Sequence, residues 1–205
     1  GILERLQIER LDSLLLHRPD ALMEPEEVAE AFNHLEQAGK VRHFGVSNQN
    51  PMMMELLKTA VKQPLKVNQL QLSAAFTPSF EAGFHVNMEG SKAAVRDGSV
   101  FEYCRLYDTV IQAWSVLQHG YFKGNFVGKE EFAALNHVLN DLAKKYQVTP
   151  TAIALAWVLR YPGKMQAVIG TTKPQHVLEA GKAAEVTLTR KEWYQIYLAA
   201  GNDLP

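Results

Sequence analysis

Five short, largely apolar runs, at residues 11–16, 41–46, 65–70, 109–114 and 165–170, restrict the fold of this chain more than any other feature. Near-continuous apolar runs, rather than alternation, suit strands covered on both faces, as in parallel sheets. Between them the sequence reads as helix. Pro25-Glu26-Glu27 opens a helix that runs to Gly39, with acids in its first turn and glycine as the stop. Asn50-Pro51 opens a second, with Asn as cap and Pro at the first helical position. Residues 99–106, 130–146, 150–159 and 174–181 supply four more, the third of these capped by Thr149. Thr189-Arg190-Lys191-Glu192 carries capping-box spacing for the last. The opening residues 2–6 read as the end of a helix. A natural start rarely falls inside an element, so further chain is expected before Gly1.

Strand and helix alternate, which implies right-handed crossovers and a parallel α/β sheet. Two architectures compete. A doubly wound sheet favours a glycine-rich loop after its first strand, and Gly-x-Gly-x-x-Gly is absent. A P-loop is absent too, since Gly163-Lys164 lacks the upstream glycine. The (β/α)8 TIM barrel fits better, but a barrel takes about 250 residues, and this chain has 205. Residues 1–205 therefore read as a single domain with about five of the eight βα units. Two long connections, 73–97 and 115–129, follow strand C-terminal ends, where barrel sites lie. Glu89-Gly90-Ser91 and Asp97-Gly98-Ser99 point to mobility in the first.

Composition removes several functions. A net charge of −1 without a basic block gives no footprint for nucleic acid. No apolar run approaches the ~20 residues of a membrane span, and no secretory signal opens the chain. Cys104 is the only cysteine, so no internal disulfide forms. It reads as a packing residue, and a reducing cytoplasm is the default compartment. His34, His43, His85, His119 and His137 show no metal-ligand spacing, and no metal is expected.

The strand ends carry the chemistry. They offer His17-Arg18-Pro19-Asp20, then Gly45-Val46-Ser47-Asn48, then Asn68-Gln69-Leu70-Gln71. The fourth gives Ala113-Trp114-Ser115-Val116-Leu117 and the fifth Gly170-Thr171-Thr172-Lys173. In a parallel barrel these five clusters converge on one face. Together they supply an imidazole, amides, a hydroxyl, an aromatic plate and a Gly/Thr/Lys turn at a helix start. Hydroxyls and a lysine at a helix N-terminus suit a phosphate. An aromatic plate with amides suits a planar carboxamide ring. Each piece has a plainer reading: a satisfied histidine, a cap, a core tryptophan, a turn.

Taken in order and spacing, these motifs resemble the aldo-keto reductase family from near residue 3 to the C-terminus. The most specific block is Gly39-Lys40-Val41-Arg42-His43-Phe44-Gly45-Val46-Ser47-Asn48. The resemblance implies a (β/α)8 barrel that reduces a small-molecule aldehyde or ketone with NADPH. It makes His17 the catalytic histidine that orients the carbonyl. It makes Ser47, Asn48 and Gln69 the holders of the nicotinamide carboxamide. Trp114 stands where the family stacks an aromatic, usually Tyr, on the nicotinamide ring. Ser115 and Leu117 fall beside the pyrophosphate. Gly170, Thr171, Thr172 and Lys173 meet the adenosine 2'-phosphate, with His176 and Glu179 near the adenine.

Three departures follow. His176 stands where many members place Arg, and Ala180 where they place Asn. Arg grips phosphate with a bidentate fork that a neutral imidazole lacks. NADPH is favoured, with NADH left open. The family's catalytic Tyr, Asp and Lys lie in the first three βα units, to which no residue here corresponds. This chain alone is therefore expected to be inactive, since loss of a positioned acid typically costs about 10²–10⁴-fold. Five strands alone would also expose two sheet edges, a route to self-association. Two other readings compete with a reductase: a non-catalytic nucleotide-binding module from a truncated paralogue, and a scaffold fragment that folds only with a partner.

Overall fold

A computed structural model describes residues 1–20, 22–84, 99–120 and 123–202. Five parallel strands form one sheet: β1 (Leu11–Leu16), β2 (Val41–Ser47), β3 (Leu65–Gln71), β4 (Val110–Trp114) and β5 (Met165–Ala167). Their spatial order follows the chain, β1-β2-β3-β4-β5. A doubly wound sheet reverses direction at a switch point; this one does not. Unreversed order is what consecutive strands of a (β/α)8 barrel require. Among the described residues β1 and β5 form the two edges.

Nine α-helices accompany the sheet among the described residues. They are α1 (Ile2–Leu6), α2 (Pro25–Gln37), α3 (Pro51–Lys58), α4 (Pro78–Phe84), α5 (Val100–Leu106), α6 (Ala133–Tyr146), α7 (Pro150–Leu159), α8 (Pro174–Gly181) and α9 (Arg190–Ala199). None of them is long and apolar enough to cross a membrane. Their starts obey local chemistry. Asn50 accepts from the Met53 amide at 2.9 Å, and Thr149 from that of Ala152 at 3.2 Å. Thr189 and Glu192 complete their capping box.

Burial alternates along β4 and so marks its two sheet faces. In β4, Ile111 and Ala113 are buried against the helices, while Val110, Gln112 and Trp114 stay half-buried on the other face. The larger core joins Leu70, Leu72, Ile111 and Ala113 to α5, α6, α7 and α9. Residues 152–158 of α7 are all buried, as its apolar circumference demands. Trp157 stacks on Trp193 at 4.8 Å, and each indole donates to the other's carbonyl, at 3.0 and 3.1 Å. Burial of both rings thus leaves neither N–H orphaned. The smaller core packs Phe32, Phe44, Val46, Met54 and Leu57, with the two phenyl rings stacked at 4.1 Å.

Several expected boundaries shift. The fifth strand ends at Ala167, not residue 170, because its partner β4 stops at Trp114 and Ser115 turns away with φ 53°. The Val168 amide makes one further bond, to Ala113, at 2.8 Å. The helix expected over 130–146 begins with a 3-10 turn, Glu130–Phe132. Asn136 gathers this entry: its Nδ2 donates to the carbonyls of Phe126, Lys129 and Phe132, and its Oδ1 accepts from Gly128. The 73–97 connection contains α4, which opens on Thr77 followed by Pro78 at its first position, the Thr-Pro pattern also seen at Thr149-Pro150. The mobility expected for 89–91 and 97–98 lies outside the described residues.

Candidate functional site

Ser47 is the last residue of β2, and its hydroxyl donates to the main-chain carbonyl of Gln69 at 3.0 Å. The Asn48 amide donates to the same oxygen at 2.9 Å. Asn48 adopts φ 53°, the left-handed region that asparagine tolerates better than most residues. Its Nδ2 donates to Ser47 Oγ at 3.0 Å, and its Oδ1 accepts from the Trp114 indole at 3.4 Å. Four of the expected site residues, Ser47, Asn48, Gln69 and Trp114, thus meet at the C-terminal ends of β2, β3 and β4.

His17 follows Leu16, which pairs with Val46. The imidazole residue is therefore level with Ser47 on the neighbouring strand, and it is exposed. Arg18 carries its guanidinium 5.6 Å from the centroid of the Trp114 ring, within cation–π reach. That contact links the first strand end to the fourth.

Ser115 and Leu117 lie just beyond β4. Ser115 Oγ donates to Gln118 Oε1 at 3.3 Å. Leu117 packs on the larger core, and its carbonyl accepts from Phe126 at 3.1 Å. The remaining expected residues form a second cluster at the start of α8. Gly170, Thr172, Lys173 and His176 are exposed there. Thr171 Oγ1 stands 3.3 Å from His176 Nδ1 and accepts from the Lys173 amide at 3.2 Å. Glu179 accepts from Gln175 at 3.1 Å on the same helix. The hydrogen bonds among the described residues do not join this cluster to Ser47, Asn48 and Trp114.

Two features escaped the sequence reading. Ser47, Gln69, Gln112 and Gln166 occupy one register line across β2 to β5. Gln69 Nε2 donates to Gln112 Oε1 at 3.2 Å, and Gln112 Nε2 to Gln166 Oε1 at 2.9 Å. Only strand register brings these amides together, and single runs of sequence do not disclose register. Asn68, next to Gln69 in sequence, is buried toward the helices and donates to the Gln49 carbonyl at 2.8 Å.

The second feature is a Tyr–Lys–Glu trio in the helical layer. The Tyr103 hydroxyl donates to Glu55, and Lys58 bonds both, at 2.9 Å to Glu55. Lys58 also stands 3.7 Å from the Tyr107 ring centroid. These residue types could suggest an acid centre. They instead tie α3 to α5, with Lys58 at the end of α3 farthest from the rim. Burial, followed by the Glu55 contact, raises the Tyr103 phenol above its ordinary value. Burial likewise pushes the Cys104 thiol up to about 11, so it packs as a neutral group.

The rim thus combines fixed amides, a hydroxyl, an indole plate and an exposed imidazole, a donor–acceptor set that fits a planar carboxamide ring. The Aldo/keto reductase family model matches residues 1–199. The chain is 35% identical over 202 residues to "Oxidoreductase YdhF" of Escherichia coli, covering 98% of this chain and 61% of that protein. It is 33% identical over 198 residues to a 6-dehydroglucose reductase of Agrobacterium fabrum, covering 96% and 59% respectively. It thus spans about three fifths of the length of these relatives. Among solved structures, the thermostable aldo-keto reductase Tm1743 superposes with TM-score 0.73 at 23% identity, over 96% of this chain and 62% of that one. An aldo-keto reductase from Klebsiella pneumoniae in complex with NADPH gives TM-score 0.70 at 25% identity, over 95% and 60%. The chain belongs to the aldo/keto reductase family.

Proposed function

We propose that this chain forms the cofactor wall of an NADPH-dependent reductase of aldehydes or ketones. The observation that carries this reading is the convergence of Ser47, Asn48, Gln69 and Trp114 on one hydrogen-bonded rim. NADPH, when bound, supplies the hydride. Ser47, Asn48 and Gln69 hold the carboxamide, and the Trp114 ring supports the flat face of the nicotinamide. Ser115 and Leu117 line the path of the pyrophosphate. Gly170, Thr171, Thr172 and Lys173 receive the 2'-phosphate, and Lys173 supplies the positive charge that favours NADPH over NADH. His176 and Glu179 border the adenine. His17 donates to the substrate carbonyl oxygen and orients it.

We further propose that these 205 residues alone bind cofactor without appreciable turnover. The Tyr–Lys–Glu trio supports this second reading, because it lies in the helical layer and cannot protonate a carbonyl beside His17. The single buried thiol suits a reducing cytoplasm. Calorimetric titration with NADPH, followed by carbonyl-dependent NADPH oxidation, tests both readings. Saturable binding is expected, with turnover only where a general acid is supplied. Absence of binding overturns the cofactor reading; family-level turnover by the 205 residues overturns the second.

A further inference from the structure

We infer that Asn68 is a positioning residue for the nicotinamide end of the cofactor: from the helical side of the sheet, it holds Asn48 in the backbone conformation that brings its side chain to the rim. The inference rests on the proposed role of Asn48 toward the carboxamide. Asn68 and Gln69 are consecutive in β3 and so face opposite ways. Asn68 pairs in register with Val46 and is fully buried. Its Nδ2 donates to the Gln49 carbonyl at 2.8 Å and stands 3.5 Å from Met54 Sδ. Both partners are acceptors only, so the amide has one workable orientation. A flip would set Oδ1 against the Gln49 carbonyl oxygen.

The bond falls where the chain needs it. β2 ends at Ser47 and α3 begins at Pro51, so the carbonyl of buried Gln49 belongs to neither the sheet ladder nor the helix. A buried carbonyl without a donor is costly, and Asn68 supplies the donor. Asn48 stands between two such anchors. Its own amide donates to the Gln69 carbonyl at 2.9 Å, and the next carbonyl, that of Gln49, accepts from Asn68. Consecutive residues of β3 thus grip the chain on either side of Asn48. With φ 53°, Asn48 occupies a region that a residue other than glycine keeps where its surroundings impose it. Asn68 meets this need at a cost, since its Oδ1 is buried without a partner among the described residues. A leucine there would leave no orphan side-chain oxygen, but it could not hold Gln49.

The test uses the intact protein and two probes: NADPH, and adenosine 2',5'-bisphosphate, which lacks the nicotinamide. Asn68→Leu should weaken NADPH binding about three- to tenfold, the scale of one hydrogen bond, and change affinity for the bisphosphate less than about twofold. Asn68→Ala, which adds no bulk, should give the same split and serves if the leucine variant does not fold, which circular dichroism checks. A second readout needs no cofactor. The Trp114 indole N–H donates to Asn48 at 3.4 Å, so its signal in a proton–nitrogen correlation spectrum should move upfield in either variant, with Trp114→Phe identifying that signal. Unchanged NADPH affinity in a folded variant overturns the inference, as does equal weakening of both probes, which would make Asn68 a general structural residue. Absence of NADPH binding in wild type overturns the cofactor reading instead, and the indole signal then still decides whether Asn68 governs Asn48.

Discussion

The Trp114 indole donates to Oδ1 of Asn48 across 3.4 Å, bridging the ends of β4 and β2 over the intervening β3. The bond explains how a left-handed asparagine and an aromatic ring hold each other at the rim. Asn48 Nδ2 is committed to Ser47, so its oxygen is the atom left for the indole. The ring orientation is thereby coupled to the β2 turn, and the Arg18 guanidinium adds a third constraint at 5.6 Å from the ring centroid.

Substitution at Trp114 should separate the ring from its N–H. Trp114→Ala removes both and should weaken NADPH binding about tenfold or more, through lost contact area and stacking. Trp114→Phe keeps an aromatic face and loses one neutral hydrogen bond, so its effect should be about threefold. Calorimetric titration of the two variants reads the difference. Equal affinity in wild type and Trp114→Ala would reduce Trp114 to a packing residue.

Much of this arrangement was legible in the sequence because it rests on local chemistry. Asn50, Thr149 and the Thr189–Glu192 pair announced their helices through side chains that satisfy orphan amides within three residues. The strand ends announced the rim because a parallel sheet sends all its C-terminal ends one way. The glutamine line stayed hidden because its members are 43 and 54 residues apart and meet only through register. The trio of Glu55, Lys58 and Tyr103 stayed hidden for a similar reason: its tyrosine lies 45 residues beyond Lys58. The 3-10 entry to α6 follows from Asn136, whose contacts depend on the path of the preceding loop.

Gly45 is a point of close approach between strands. A Cβ there would stand 2.5 Å from the Val67 carbonyl oxygen and 2.7 Å from Leu15 Cδ2. The first obstacle is backbone of the sheet, which cannot swing aside as a side-chain tip can. Gly45→Ala should therefore force β2 from β3 and cost about 1–3 kcal/mol, the range for overpacking. Urea unfolding with far-ultraviolet circular dichroism measures it. A midpoint within error of wild type would mean that the register irregularity at Phe44 and Gly45 yields freely.

Glu192 links pH to stability. Burial alone would raise its carboxyl, but hydrogen bonds from Lys145, the Thr189 amide and hydroxyl, and Tyr146 hold it at about 2, against an ordinary 4.5. The folded state therefore binds fewer protons between those values than the unfolded one. The contribution is complete above about pH 5, and it is lost as pH falls toward 2. A shift of this size is worth on the order of 3 kcal/mol. Glu192→Gln should lower stability near neutrality by loosening α6 from α9. The gap to wild type should close as the buffer is taken from pH 5 to pH 2. A gap constant across that range would show that the carboxylate charge contributes nothing there.

His17 offers the sharpest separation of chemistry from binding. It stands level with Ser47 yet outside the bonded group of Ser47, Asn48 and Trp114, and its side chain is exposed at the rim. An imidazole placed this way can donate to a carbonyl oxygen without supporting the cofactor wall. In the intact protein, His17→Ala should lower carbonyl turnover about 10²-fold or more, the scale of a lost positioned proton donor. NADPH affinity should change less than about threefold, because none of the amides is released. His17→Gln should recover part of the turnover, since its amide N–H reaches a similar point. Parallel loss of affinity and turnover in His17→Ala would assign the residue to the architecture of the rim rather than to the reaction.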